Sequence, residues 1–375
     1  MSAELTERPA CRAVPARPGA AASAPRRVPL AHWGAVRNGA VAAAALAALI
    51  VLGSRDLADF DSALVGYTFA CLFMTFGVVY RYSVWLSKPP TRKYWVRGVE
   101  VLFSPRRWPR LGRPTLIVKA LWSKIIAQDF ILRRGLTRWI AHMLIAWGCA
   151  LAAAVTFPLV FGWLHFEAGA AGAVYRVVLF GVRVSEIPVH GVVGWAIFHA
   201  LVVSGFMVVP GVMLAMLRRM REGGAVAAQR FERDLLPLLL LFAVSASGLL
   251  LWVSYEWLHG YFYGALAQVH ALTVIVTLVY LPFGKLFHVF QRPASVGVTF
   301  YKEAGGRGEK AVCPVTGEAF AAKLQTDDLK EVLAEVGFDY AAPTATGPAW
   351  SEISPRGRRM LIGRAHHRAR GGRFS

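Results

Sequence analysis

Hydrophobic positions along the chain gather into six long runs, separated by polar or basic segments. About 20 mainly apolar residues suffice for a helix to cross a hydrocarbon core. The runs predict spans over 38–54, 62–84, 139–163, 190–217, 235–255 and 264–289. The first, NGAVAAAALAALIVLGS, is short and Ala-rich, and a cleaved signal peptide is the competing interpretation. The 37 residues before it are rich in Arg, Ala and Pro and long for a signal n-region, which favours a retained helix behind a disordered basic tail. The expected fold is therefore all-α and integral to a membrane. A six-helix transmembrane bundle occupies 38–293, between a tail over 1–37 and a polar tail over 294–375. No internal repeat is visible, which counts against repeat-built transporter folds.

The polar tail holds one periodic stretch, DDLKEVLAEVGF, which predicts a short helix over 327–336. Asp327 and Asp328 suit its N-terminus, Leu329, Val332, Leu333 and Val336 form an i, i+3, i+4, i+7 stripe, and Gly337 is the expected stop. The remainder, down to RGRRMLIGRAHHRARGGRFS, is expected to be flexible.

Composition agrees with this pattern: of 375 residues, 56% are hydrophobic and 17% charged, against about 25% charged in soluble domains. The formal net charge of +20 would suggest nucleic acid in a soluble protein. Its placement points elsewhere. Segments 1–37, 84–138 and 218–234 carry 24 Lys and Arg, whereas 55–61, 164–189 and 255–263 carry three. Short basic loops stay cytoplasmic, so both termini and the 84–138 loop are expected inside a bacterial-type cytoplasmic membrane, with no role for nucleic acid. The 84–138 loop also contains TLIVKALWSKIIAQDFIL, an expected interfacial helix near 115–132 with an apolar face toward lipid or protein. The four cysteines, Cys11, Cys71, Cys149 and Cys313, are far apart and form no CxxC, which argues against a disulfide scaffold or a zinc or iron–sulfur site.

Candidate chemistry lies in the histidines. His270 and His288 are 18 residues apart in one expected span, five whole helical turns, so both would project from one face. The rise would separate them by about 27 Å. Two such ligands cannot share one metal, but each could hold one of two stacked haems with a partner from a neighbouring helix. His142, four residues into its span, matches the depth of His288 and is the expected inner partner. For the outer partner of His270, His199 is preferred over His190 and His165 because its depth agrees within a turn. A lone intramembrane histidine can equally be an interhelical hydrogen-bonding residue.

The spans DLLPLLLLFAVSASGLLLWVSYEW and AQVHALTVIVTLVYLPFGKLFHVFQRP, with RWIAHMLIAWGC, resemble the cytochrome b gamma subunit of respiratory nitrate reductase. The resemblance covers about 130–293, and related membrane subunits occur in sulfite-reductase-linked and heterodisulfide-reductase-type complexes. It implies two b haems, exchange with the membrane quinone pool, and cytoplasmic iron–sulfur and molybdenum-type or other reductase subunits as partners. It matches His142 and His288 to the inner haem and His270 to the outer one. The family's second outer ligand falls on Ala152, a departure that leaves His199 as the replacement and argues against assuming nitrate as the acceptor.

The expected function is thus a membrane cytochrome b subunit carrying electrons between quinone and a cytoplasmic reductase. Arg138, Lys285 and Arg292 are candidate partners of the inner haem propionates, or ordinary positive-inside flank residues. Gly148 could admit a porphyrin close to the backbone, or pack a neighbouring helix. Glu186, His190, Tyr255 and Glu256 are candidates for a quinone site at the outer edge. The alternatives are a polytopic secondary transporter with proton-coupling histidines and a non-redox membrane anchor of a complex. No P-loop, GxGxxG after a strand or nucleophile elbow is present, so the substrate-reducing unit itself would be another chain.

Overall fold

The computed structural model describes residues 32–103, 114–169, 173–338 and 348–371. The tail over 1–31 and part of the basic loop, 104–113, lie outside the described residues.

The first apolar run forms α1 (Trp33–Gly53), closed by Ser54, whose buried hydroxyl accepts the Leu57 N–H at 3.1 Å. A single turn at Ser62–Leu64, capped by the Asp61 carboxylate on the Ala63 N–H, leads into α2 (Val65–Ser87). Pro89 opens α3 (Pro89–Phe103), the first turn of a helix being where proline's missing N–H costs nothing. The interfacial helix expected near 115–132 is broken. It comprises α4 (Pro114–Leu121), a wider π turn at Trp122–Ile126 and, after a left-handed Gln128, the single turn α5 (Asp129–Leu132). Its inner face joins a small core of Val101, Ala120, Phe300 and Ala304, so that face meets protein, while Val118 and Trp122 remain exposed.

After α6 (Leu136–Val160) the chain departs from the all-α expectation. Residues 164–188 form an antiparallel meander of β1 (Leu164–Ala168), β2 (Val174–Leu179) and β3 (Val182–Pro188). The turn between β2 and β3 uses positive φ at both Phe180 (51°) and Gly181 (75°), as a two-residue hairpin requires. The VYRVVL and VRVSEI segments are β-branched and alternate in part, a period-2 signal that a search for spans passes over.

The expected 190–217 span is also divided. α7 (Val192–Phe198) ends at His199, where φ is −96° and ψ is 0°, and α8 (Ala200–Arg221) begins there. His190 lies before both, in the turn after β3. A short α9 (Gly223–Ala228) and a wide turn at Phe231–Leu235 lead to α10 (Leu236–Trp257) and α11 (Tyr263–Tyr280).

The expectation of a continuous helix over 264–289 is corrected: α11 stops at Tyr280, and His288 opens a separate turn, α12 (His288–Gln291), after a 3-10 turn at Lys285–Phe287. Pro282 supplies no N–H for the helix ladder and restricts the residue before it. Gly284 is sterically required, because a Cβ there would lie 2.3 Å from the Tyr280 ring. His270 and His288 therefore do not share one helix face.

The flexible tail of the sequence reading is ordered over most of its described length. α13 (Ala294–Arg307) packs on α3, followed by a hairpin of β4 (Lys310–Val312) and β5 (Ala319–Ala322). The expected 327–336 helix is the second half of α14 (Lys323–Val336), which does end at Gly337 in the left-handed conformation, φ 85°. α15 (Pro355–Ala369) is capped by the Ser354 hydroxyl on the Gly357 N–H. Asp328 does not cap α14. It is buried against α3 and α13, paired with Lys93 at 3.3 Å and Arg97 at 3.1 Å and accepting from the Tyr301 hydroxyl at 3.0 Å.

Among the described residues, six helices are long and apolar enough to cross a membrane: Trp33–Gly53, Ser62–Ser87, Leu136–Val160, Ala200–Arg221, Phe231–Trp257 and Tyr263–Tyr280. Only 28% of the apolar window of Ala200–Arg221 and none of that of Tyr263–Tyr280 is buried within the chain. Apolar surface on that scale is incompatible with water, and the chain is a multi-pass helical membrane protein in outline. The spans pack as neighbours in the order α1, α2, α11, α10, α8, α6.

Candidate functional site

The ends of the spans differ, and the end that carries α3, α13 and α14 is here the basic end. There His142, on the second turn of α6, faces His288 with ring centroids 6.2 Å apart. The two come from elements that pack chiefly elsewhere, α6 on α8 and α12 on α2. His288 Nδ1 lies 2.6 Å from the Lys285 carbonyl. A carbonyl only accepts, so Nδ1 carries the proton and Nε2 presents its lone pair, the arrangement found in metal-ligating histidines. His142 Nδ1 is buried without a partner among the described residues.

The three expected propionate partners differ. Arg138 pairs with Glu222 at 2.9 Å, and Lys285 pairs with Asp234. Arg292 instead stacks over the Phe130 ring, 4.3 Å from its centroid, close enough to His142 and His288 to act on both electrostatically. Burial, and then the neighbouring Arg134, hold the Arg292 guanidinium below its ordinary value. Gly148 packs a helix: a Cβ there would lie 2.6 Å from Val208, and its carbonyl accepts the Ser204 hydroxyl at 2.9 Å. That contact excludes a porphyrin from this face of α6, so the close-approach role is withdrawn.

At the opposite end, His270 and His199 are anchored separately. Ser247 donates to the Ala243 carbonyl at 2.7 Å, so its oxygen accepts from His270 Nδ1 at 2.9 Å, which leaves the lone pair on Nε2. The ring also rests against Gly248, where a Cβ would lie 3.2 Å from Cε1. His199 stacks on Trp195 with centroids 4.6 Å apart and bonds its carbonyl at 2.9 Å. No ring contact joins His199 to His270 among the described residues. His165 sits in β1, 3.8 Å from Glu167, its buried Nδ1 without a partner among the described residues.

The outer candidates are equally dispersed. Glu186 pairs across the sheet with Arg176 at 3.1 Å, and His190 is exposed in its turn. Tyr255 and Glu256 are exposed on the last turn of α10. Between α8 and α10, Trp252 packs on Phe206 and Trp257, its buried indole N–H without a partner among the described residues.

Sequence reasoning missed two charged residues at the basic end. Arg81, inside an apolar run, donates to the carbonyls of Pro282 and Gly284 and covers the Phe287 ring at 4.3 Å. Its position alone was a signal, since a cation within a span is rarely idle. Asp234 gathers Lys285, Arg219 at 3.4 Å and the Arg230 N–H at 2.9 Å. The basic loop is also partly neutralised within the chain: Arg92, Lys93 and Arg97 face Glu335, Glu331 and Asp328 of α14.

No protein-family model matches the chain, and no curated protein or solved structure matches it either. Among the described residues, no group of three or more His, Cys, Asp or Glu side chains is placed to hold a metal ion. A two-histidine arrangement is a different donor set, of the kind that completes an axial pair on a planar macrocycle.

Proposed function

We propose that the chain is a membrane cytochrome b-type subunit that passes electrons between a quinone in the bilayer and a reductase partner on the cytoplasmic side. The facing rings of His142 and His288 carry this reading. Two imidazoles on opposite sides of one metal, each nitrogen at about 2 Å, would have ring centroids about 6 Å apart. A separation of 6.2 Å meets that requirement, with a lone pair presented by His288 and an unpartnered nitrogen on His142. A haem held here would supply a reversible one-electron site. His142 and His288 would hold such a haem, the Lys285 carbonyl orients the His288 ring, and Arg292, which among the described residues stacks on Phe130 rather than on a carboxylate, would be available to a propionate.

For a second haem, His270 offers a free Nε2 in the outer half of the bundle, with Ser247 fixing its tautomer. His199 is held on Trp195, so the opposite ligand would have to come from another residue or a rearrangement at the α7–α8 junction. Tyr255 and Glu256 are the exposed polar groups nearest in sequence to the α10 terminus, and with Glu186 and His190 they remain the quinone candidates. The proposed orientation places the basic end in the cytoplasm, by the distribution of Lys and Arg.

The test is the visible spectrum of the purified, dithionite-reduced chain. The expected result is haem b absorption that His142→Ala reduces by one equivalent. A colourless wild-type protein, expressed with haem available, would sink the proposal and favour the transporter or anchor alternatives.

A further inference from the structure

The break after α11 is held from several directions. Pro282 is buried, and its ring occupies the space beside Gly77 of α2, where a Cβ would lie 2.8 Å away. The carbonyls of Pro282 and Gly284 point away from the helix ladder and need donors, since an unpaired carbonyl at membrane depth is costly. Arg81 supplies them: one terminal nitrogen donates to both, and the guanidinium plane lies over Phe287, itself buried. On the other flank Lys285 is drawn to Asp234, which Arg219 and the Arg230 N–H also hold. The Tyr280 hydroxyl donates to the Glu232 carbonyl. Between these two anchors runs the 3-10 turn Lys285–Phe287, and its first carbonyl accepts His288 Nδ1–H. The imidazole is thus hydrogen-bonded to a turn pinned by an intramembrane arginine on one side and an ion pair on the other.

We propose that Arg81 is a positioning residue for His288: together with the Asp234–Lys285 pair it fixes the broken end of α11 so that the His288 ring meets His142. The purpose of the brace rests on the cofactor reading above, but its geometry does not. A guanidinium is suited to the task because one terminal nitrogen bonds both carbonyls while the delocalised plane stacks on the aromatic face, a planar stacking that an ammonium does not offer.

The experiment reads the pair without any cofactor. In the full-length chain, His142→Cys/His288→Cys is treated in membranes with a short bifunctional maleimide, and the 142–288 cross-linked peptide is quantified by mass spectrometry. The expected result is efficient cross-linking that falls severalfold when Arg81→Gln or Asp234→Asn is added. Arg81→Lys should recover part of the yield. In single Arg81→Gln protein carrying haem, the low-spin ferric EPR signal, which reports the angle between axial imidazole planes, should shift. Cross-linking unchanged by both substitutions would overturn the proposal. Loss of both variants from the membrane would also overturn it, by making the network a requirement for folding. A wild-type chain that binds no haem but shows the Arg81-dependent cross-link would refute the proposed function and leave the brace standing.

Discussion

At the basic end of the bundle, His142 and His288 come from α6 and α12, which pack chiefly on α8 and α2, yet their rings face each other at 6.2 Å. At the other end, His199 and His270 were expected to form an equivalent pair, and each is instead hydrogen-bonded to its own support, the Trp195 carbonyl and the Ser247 hydroxyl. The difference lies in what surrounds each histidine. The basic end has Arg81, Arg219, Asp234 and Lys285 converging on a broken helix, so backbone irregularity is paired with charged side chains that fix it. The other end has a meander and exposed aromatics, with ion pairs such as Arg176–Glu186 on the surface. At the basic end the freed carbonyls of the broken helix and the buried Asp234 each have side-chain partners, and leaving such groups unsatisfied is expensive, whereas among the described residues the opposite end has no comparable break to support.

The sharpest way to break this comparison is to remove histidines singly and count haem. His142→Ala and His288→Ala should each lose the basic-end haem completely, whereas His199→Ala should leave haem content unchanged, as measured on reduced protein. Equal losses from His142→Ala and His199→Ala would erase the distinction between the ends. Next in size is Asp328→Ala. It leaves the Tyr301 hydroxyl without its acceptor and removes one of two carboxylates from each of Lys93, which keeps Glu331, and Arg97, which keeps Glu100, and should destabilise the junction of α3, α13 and α14 by about 1–3 kcal/mol, read as increased protease sensitivity of the C-terminal region. Gly284→Ala should cost about 1–3 kcal/mol, since the new methyl must displace the Tyr280 ring from its bond to the Glu232 carbonyl. A thermal melt in detergent checks it. Glu186→Gln, which removes a surface pair with a 60% exposed carboxylate, should change the same melt by less than about 1 kcal/mol.

The smallest effect concerns Glu222, at the end of α8. Its hydrogen bond to Arg138, with a further one to Arg218, holds its carboxyl below the ordinary value of 4.5. A carboxyl depressed in the folded state adds stability above its unfolded value and loses it as pH falls through the folded one. The wild-type advantage over Glu222→Gln should therefore be constant near neutrality and vanish only below about pH 4.5. An advantage that already declined near neutral pH would contradict the pairing.

Much of the membrane architecture was legible in the linear pattern, since a span is a local property of apolar length. Boundaries shifted where a single residue overrides that length, at His199 and at Pro282–Gly284. The meander was less visible because its short alternating strands depend on pairing with each other. The C-terminal helix α14 was expected from its stripe, but the fate of Asp328 was not: a carboxylate near a helix start reads as a cap until α3 brings two cations against it. Of the site, the choice of His142, His270 and His288 as residues of interest came from spacing. For His270 and His288 the expected common helix face does not hold, because α11 stops at Tyr280.

By itself the sequence determined which segments are apolar enough to span, where the cations gather, and which ionisable side chains fall within apolar runs, because hydropathy, charge and residue type belong to the chain before it folds. Only the tertiary structure decided which histidines meet. That outcome depends on α11 stopping at Tyr280, on Arg81 of α2 reaching the freed carbonyls, and on Asp234 drawing in Lys285, all contacts between residues remote in sequence. Helical phase fixes a direction along one element, and the distance between two rings is set by the packing of several.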